Sequence, residues 1–231
     1  MNQIKQNIIN FIKSIIGIST RDIKIQFRNI SYILSIVIFF IIIILLFIFS
    51  IGPNKEQLSI SGLAIIWTVF ILSSSITVNK LLKDDYDDNN FEVYQFSGLS
   101  FELIALSKII TSWILFQLPL LILIPLISIV LSIDQSKIYM LIITMAIGSP
   151  ILSIFSVVAS SMILTNNKNL NLGGLIIFPM SIPIIIFAVG AVNTDVDLFT
   201  PQVNILISML LASLALGPWI ISACIKIALR S

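Results

Sequence analysis

The sequence predicts an all-α integral membrane protein with six transmembrane helices behind an N-terminal interfacial amphipathic helix. Three observations carry this. First, 58% of the 231 residues are hydrophobic and 10% charged, with a mean hydropathy of +1.09. A soluble domain is about 45–50% apolar and about 25% charged. A water-soluble core cannot absorb that much apolar surface, so a soluble enzyme is excluded. Second, the apolar residues fall into six runs, each close to the roughly 20 residues that cross a bilayer as a helix. None shows the ten-residue polar alternation of a transmembrane barrel strand. Third, residues 1–29 carry a basic, helically periodic pattern of their own.

In that first segment Ile4, Ile8, Phe11, Ile15 and Ile18 recur at spacings of three and four, with Lys5, Asn7, Asn10 and Lys13 between them. This is a helical period, and a basic amphipathic helix of this kind lies in the membrane interface. A helix packed on a partner, or an unstructured lead-in, is the alternative. A cleaved signal peptide is not expected, because the apolar run that follows is too long and ends in no small-residue cleavage site.

The transmembrane domain is expected over residues 30–231. Its spans are about 30–50, 60–78, 109–133, 138–164, 172–192 and 203–225. Ser50-Ile51-Gly52-Pro53 closes the first. Pro119 and Pro125 punctuate the third, Gly148-Ser149-Pro150 the fourth, Pro179 and Pro183 the fifth, and Gly217-Pro218 the sixth. With six crossings, one side collects Lys5, Lys13, Arg21, Lys24, Arg28, Lys80, Lys83, Lys108, Lys168, Lys226 and Arg230, against Lys55 and Lys137 on the other. By the positive-inside rule both termini face the cytoplasm.

The chain has no histidine and one cysteine, Cys224. The commonest metal ligand and general base is therefore missing, and no intrachain disulfide is possible. A net charge of +2 does not suggest a nucleic-acid partner. No GxxxxGK[ST] is present, so the chain carries no P-loop. The six runs as drawn contain no Asp, Glu, Lys or Arg, whereas ion-coupled transporters need ionisable groups at membrane depth. The spans read as a passive scaffold that something else drives. Catalytic, cofactor-binding and metal-ligating residues are all expected to be absent. Met140, Met145, Met162, Met180 and Met209 read as lipid- or core-facing rather than as soft-metal ligands. The pairs Ser149/Ser153, Ser156/Ser160, Ser208/Ala212 and Ser213/Gly217 permit close helix contact. Trp67, Trp113 and Trp219 mark interfaces or a pocket.

The longest cytoplasmic loop, residues 79–108, is the functional candidate. Asp84, Asp85, Asp87, Asp88 and Glu92 are five of the eleven acidic residues. Their spacing does not fit a calcium loop, which needs alternating ligands and a later bidentate Glu, and no nucleophile accompanies them. Asn89 or Asn90 can cap a short helix over residues 91–96, ended by Ser97-Gly98. The loop then reads either as a docking surface with an aromatic edge of Phe91, Tyr94 and Phe96, or as a solvated acidic turn.

Several ordered motifs resemble the haem exporter protein B (CcmB) family of c-type cytochrome maturation. They are Ser50-Ile51-Gly52-Pro53, Lys83-Asp84-Asp85 with Phe91-Glu92, Ser107-Lys108 with Trp113, Gln117 to Leu126, Gly148-Ser149-Pro150, Gly173-Gly174, Phe178-Pro179, and Ile182 to Ala188. The resemblance covers about residues 20–230. It implies an ABC-2-exporter-like membrane subunit in a bacterial inner membrane, non-catalytic itself. The implied partners are a cytoplasmic ABC ATPase that binds ATP, a haem-handling membrane protein, a small membrane subunit and, indirectly, a haem chaperone. It makes residues 79–108 the coupling loop, with Asp84, Asp85, Phe91, Glu92 and Tyr94 on the ATPase. It implies haem in the partners, with none bound here. The loop at 165–169 is less basic than the family's. A permease of another ABC-2 exporter, for lipid or polysaccharide, and a membrane assembly scaffold without transport remain the alternatives.

Overall fold

The structure is a computed structural model and describes residues 2–28, 30–164, 172–193 and 196–230. The 165–169 loop and Lys168 lie outside the described residues. All regular elements among those described are helical: α1 (Asn2–Phe27), α2 (Ile30–Ile51), α3 (Lys55–Leu81), α4 (Lys83–Asp87), α5 (Asn90–Phe96), α6 (Phe101–Ser112), a π turn (Trp113–Gln117), α7 (Leu118–Val130), α8 (Gln135–Met162), α9 (Leu172–Asn193) and α10 (Val196–Ala228). Six of these units are long and apolar enough to cross a membrane, with α6, the π turn and α7 forming one continuous crossing. The chain is a multi-pass membrane protein.

Local chemistry sets the helix ends, and it moves two of them. The second crossing begins at Lys55 rather than near residue 60, because the Asn54 side chain accepts from the backbone N–H of Glu56 at 3.1 Å and Gln57 at 3.3 Å. These are two of the otherwise orphaned donors of a helix start. The third crossing begins at Phe101, eight residues before the expected 109. Ser100 caps it by accepting from the Leu103 N–H at 3.3 Å. Lys108, like Glu102, therefore lies on the same continuous helix as the third apolar run, one residue before that run begins. The π turn has a physical cause two residues on. Pro119 lacks an N–H and crowds the carbonyl four residues back, so the preceding turn widens.

α8 is the hub, packed against α3, α6, α9 and α10. Small residues permit this. A Cβ on Gly148 would stand 2.4 Å from the tip of the Trp67 ring, and one on Gly217 would stand 2.5 Å from an Ile154 methyl. Ser149, Ser153, Ser156 and Ser160 are all buried on the same helix. Ser153 Oγ donates to the Ile109 carbonyl at 2.9 Å, and Trp113 Nε1 donates to Ser149 Oγ at 3.0 Å. Oriented with its nitrogen toward the Ser149 carbonyl, the Gln117 amide accepts from the Ser153 N–H at 2.9 Å. The third crossing is thus joined to α8 by a seam of neutral polar groups. The tryptophans separate: Trp67 is wholly buried, Trp113 binds α8, and Trp219 is 69% exposed. α2 is the opposite of α8. Leu34, Ile38, Ile42, Leu46 and Phe49 face outward, a surface fitted to lipid.

Two apolar clusters result. The larger joins α2, α3, α7, α8 and α9 around Phe40, Trp67, Phe70 and Ile184. The smaller gathers Ile18, Leu82, Phe91, Tyr94, Ile104, Ile154 and Ile225 at the end of the bundle that carries α4 and α5.

Candidate docking loop and its ion cluster

The loop between the second and third crossings is helical through most of its length. α4 carries one internal ion pair at i,i+4 spacing, Lys83–Asp87 at 3.0 Å, and a second, Lys80–Asp84 at 4.0 Å, ties its start to the end of α3. Asn89, with φ 56°, turns the chain into α5, but its side chain makes no capping hydrogen bond. The cap expected from an Asn side chain is therefore a left-handed turn instead, a conformation that Asn tolerates better than most residues. Gly98, at φ 73°, ends α5. Its N–H bonds Gln95 and the next N–H bonds Tyr94, the left-handed termination for which glycine is suited.

α4 is tied to the bundle at both of its ends. The Leu82 N–H donates to Ser160 Oγ at 3.3 Å, and the Tyr86 hydroxyl donates to the Ala228 carbonyl at 3.2 Å. Across α6, Glu102 pairs with Lys226 at 3.0 Å and accepts from Ser222 Oγ at 2.6 Å. The last turn of α10 is thereby held beside the loop.

Beneath α5 lies a buried ion cluster. Lys108 is 6% exposed, Asp22 5% and Asp85 8%. The Lys108 ammonium bonds Asp22 at 2.5 Å and also contacts Asp85. Arg21 stands 3.4 Å from Asp22 and 3.8 Å from Asp85, donates to the Tyr94 hydroxyl, and lies over the Tyr94 ring at 5.5 Å. Asn90 Nδ2 donates to Asp85 Oδ1 at 2.9 Å. Two carboxylates face two cations, the balance a buried cluster requires. Burial pushes the Asp22 carboxyl above its ordinary range, against the pull of Lys108. Burial likewise raises the Tyr94 phenol. The cluster joins three segments remote in sequence: α1, the α4–α5 loop and α6. Ser19 Oγ adds a bond to the Ser107 carbonyl at 3.3 Å. Every charge in it has a partner, so it holds structure rather than offering a reactive group.

The predicted site residues divide by face. Asp85, Phe91 and Tyr94 point inward: Asp85 into the ion cluster, Phe91 and Tyr94 into the smaller apolar core. As the loop stands here they are anchors of its inner face. The reason is helical geometry, since positions 91 and 94 share one face of α5. Asp84 and Glu92 are exposed, together with Val93, Gln95 and Phe96, and Phe96 is 90% exposed. The exposed aromatic edge is thus Phe96 alone. Sequence reasoning missed Asp22 and Lys108. A signal for Asp22 was present, because it continues the Ile15, Ile18 stripe at the next spacing of four.

Comparison with known proteins agrees with this architecture. The family described as CcmB protein matches residues 13–228, beginning somewhat before residue 20. The chain is similar to "Heme exporter protein B" of Haemophilus influenzae, 30% identical over 212 residues, covering 90% of this chain and 96% of that one. It is 28% identical to the protein of the same name from Bradyrhizobium diazoefficiens, over 89% and 94% of the two chains. It is 25% identical to the one from Pseudomonas aeruginosa, over 90% and 94%. The match takes in the ion-clustered loop as well as the six crossings, and the chain belongs to the CcmB protein family.

Proposed function

We propose that this chain is the membrane subunit of an ABC-type complex of cytochrome c maturation in a bacterial inner membrane. Both termini and the α4–α5 loop face the cytoplasm, and α1 lies along the interface. The subunit couples ATP hydrolysis by a partner ATPase to release of a haem-loaded periplasmic chaperone. A haem-handling membrane protein and a small membrane subunit complete the complex. The observation that carries the reading is the two-faced α5. Its inner face is bonded to α1 through Tyr94 and packs into the apolar cluster that α6 shares, and its outer face presents Glu92, Val93 and Phe96, exposed among the described residues. An exposed aromatic is of the type enriched at interfaces, and a carboxylate at its rim can fix the register of a partner. Family membership and the name of the relatives support haem as the cargo of the complex. The lack of histidine supports placing haem iron in the partners.

The eleven-to-two basic asymmetry supports the orientation. Topology reporters placed after Arg28, near Asn90 and after Arg230 are expected to read cytoplasmic. Reporters near Lys55 and Gln135 are expected to read periplasmic. Affinity purification of the chain in mild detergent tests the partnership. Recovery of a cytoplasmic ATPase with cytochrome-maturation proteins is expected. Recovery of an ATPase with glycan- or lipid-export proteins points to a different exporter, and recovery without any ATPase overturns the reading.

A further inference from the structure

One cavity in the molecule holds polar groups that the fold leaves unused. It has a volume of about 80 Å3 and lies beside the ion cluster, with Asp22, Asp85, Asn90, Lys108, Thr111 and Ser112 among its lining residues. Thr111 and Ser112 are buried, and their hydroxyls have no hydrogen-bond partner among the described residues. Among the described residues Ser73 is the one other buried hydroxyl left without a partner. Buried helical hydroxyls here normally bond back to their own helix, as Ser107 does to the Leu103 carbonyl at 3.0 Å, Ser128 to Ile124 at 2.8 Å and Ser156 to Leu152 at 2.8 Å. Thr111 and Ser112 follow Lys108 by three and four positions, which places them one turn along the same face of α6.

We propose that the cluster is a two-position latch, in which the Asp85 carboxylate, carried by the α4–α5 loop, leaves Lys108 and is received by the hydroxyls of Thr111 and Ser112 one turn further along α6. The proposal deepens the docking reading by naming where a push on the loop enters the bundle. The charges permit the exchange. Lys108 is held by two carboxylates, and Asp22 alone, at 2.5 Å, leaves it paired when Asp85 departs. Asp85 arrives at two hydroxyl donors, and a carboxylate that accepts hydrogen bonds tolerates burial. Asn90 travels with it, being bonded to it at 2.9 Å. The cavity supplies the space. One-turn displacements of packed elements, about 5.4 Å, are a known form of switching.

The test uses the full chain with Cys224→Ser, spin-labelled at Gln95→Cys on α5 and Ile122→Cys on α7, both exposed. Opening the first position with Arg21→Gln/Lys108→Met/Asp22→Asn is expected to move the label distance by about 5 Å, the rise of one turn. Arg21→Gln/Lys108→Gln/Asp22→Asn serves as a second opened variant that keeps polar groups in place. Adding Thr111→Val/Ser112→Ala is expected to abolish the new distance. An unchanged distance in both opened variants overturns the latch, as does a shift that survives loss of the two hydroxyls. These arms need no partner. Adding the ATPase and a non-hydrolysable ATP analogue to the otherwise wild-type labelled chain is expected to produce the same second distance. A shift in the opened variants alongside failure of any ATPase to bind supports the latch and rejects the docking reading. Binding of the ATPase with no shift in any arm rejects the latch alone.

Discussion

The two apolar cores of this chain are joined in opposite ways. In the larger core, α3, the third crossing and α8 meet through glycine, serine and one amide, with no ionised group among the described residues. In the smaller core, α1, the loop and α6 meet around four charges. Neutral polar contacts between crossing helices are worth about 0.6 kcal/mol each, so the larger core depends on close fit. Breaking one partner of a buried ion pair costs about 3–5 kcal/mol, although replacing the whole pair can cost nothing. The smaller core is therefore specified by charge matching. It holds one arrangement strongly.

The largest effect is expected from Lys108→Met alone. It leaves Asp22 and Asp85 facing each other, with Arg21 as their remaining cation, and is expected to destabilise the chain by about 3–5 kcal/mol. Thermal unfolding in detergent and the membrane level of the variant read this out. The neutral triple Lys108→Met/Asp22→Asn/Asp85→Asn is expected to recover most of the loss. A triple as unstable as the single would show that the charges do not act as a set.

The fit of the larger core predicts a smaller loss. Gly148→Ala places a methyl 2.4 Å from Trp67 and is expected to cost about 1–3 kcal/mol through overpacking. Trp67→Phe in the same chain makes room and is expected to return part of that loss. A double-mutant cycle in which the two changes simply add would contradict the packing account. Smallest of all, Ser149→Ala removes one neutral bond, the one that Trp113 Nε1 donates, and is expected to cost about 0.6 kcal/mol in the same unfolding assay. A loss as large as that of Lys108→Met would erase the contrast between the two cores.

The crossings were legible because each is a long apolar run, and the lead helix because Ile15 and Ile18 keep a helical period. The start of the third crossing was not. Lys108 reads as a loop charge until Ser100 is recognised as the cap and Phe101 as the first helical residue. Asp22 lies on the stripe of Ile15 and Ile18, yet nothing local says that its partner is Lys108, 86 positions away. The inward turn of Asp85, Phe91 and Tyr94 had the same cause. A one-sided helix has an inner and an outer face, and which residues take the inner one depends on α1 and α6, which bring the matching cations and apolar surface.

The central claim is that α5 divides its labour, with the inner face holding the fold and the outer face meeting an ATPase. Asp85→Lys cannot test it, since that change strikes the ion cluster. The double variant Phe96→Ala/Glu92→Lys tests it most directly, because both side chains are exposed and neither touches the cluster. Its membrane level and unfolding temperature are expected to match the parent chain. Recovery of the ATPase in affinity purification is expected to fall by at least about tenfold, as for loss of a hot-spot aromatic together with reversal of a neighbouring charge. Parental ATPase recovery from this variant would contradict the account and leave the outer face of α5 a solvated surface.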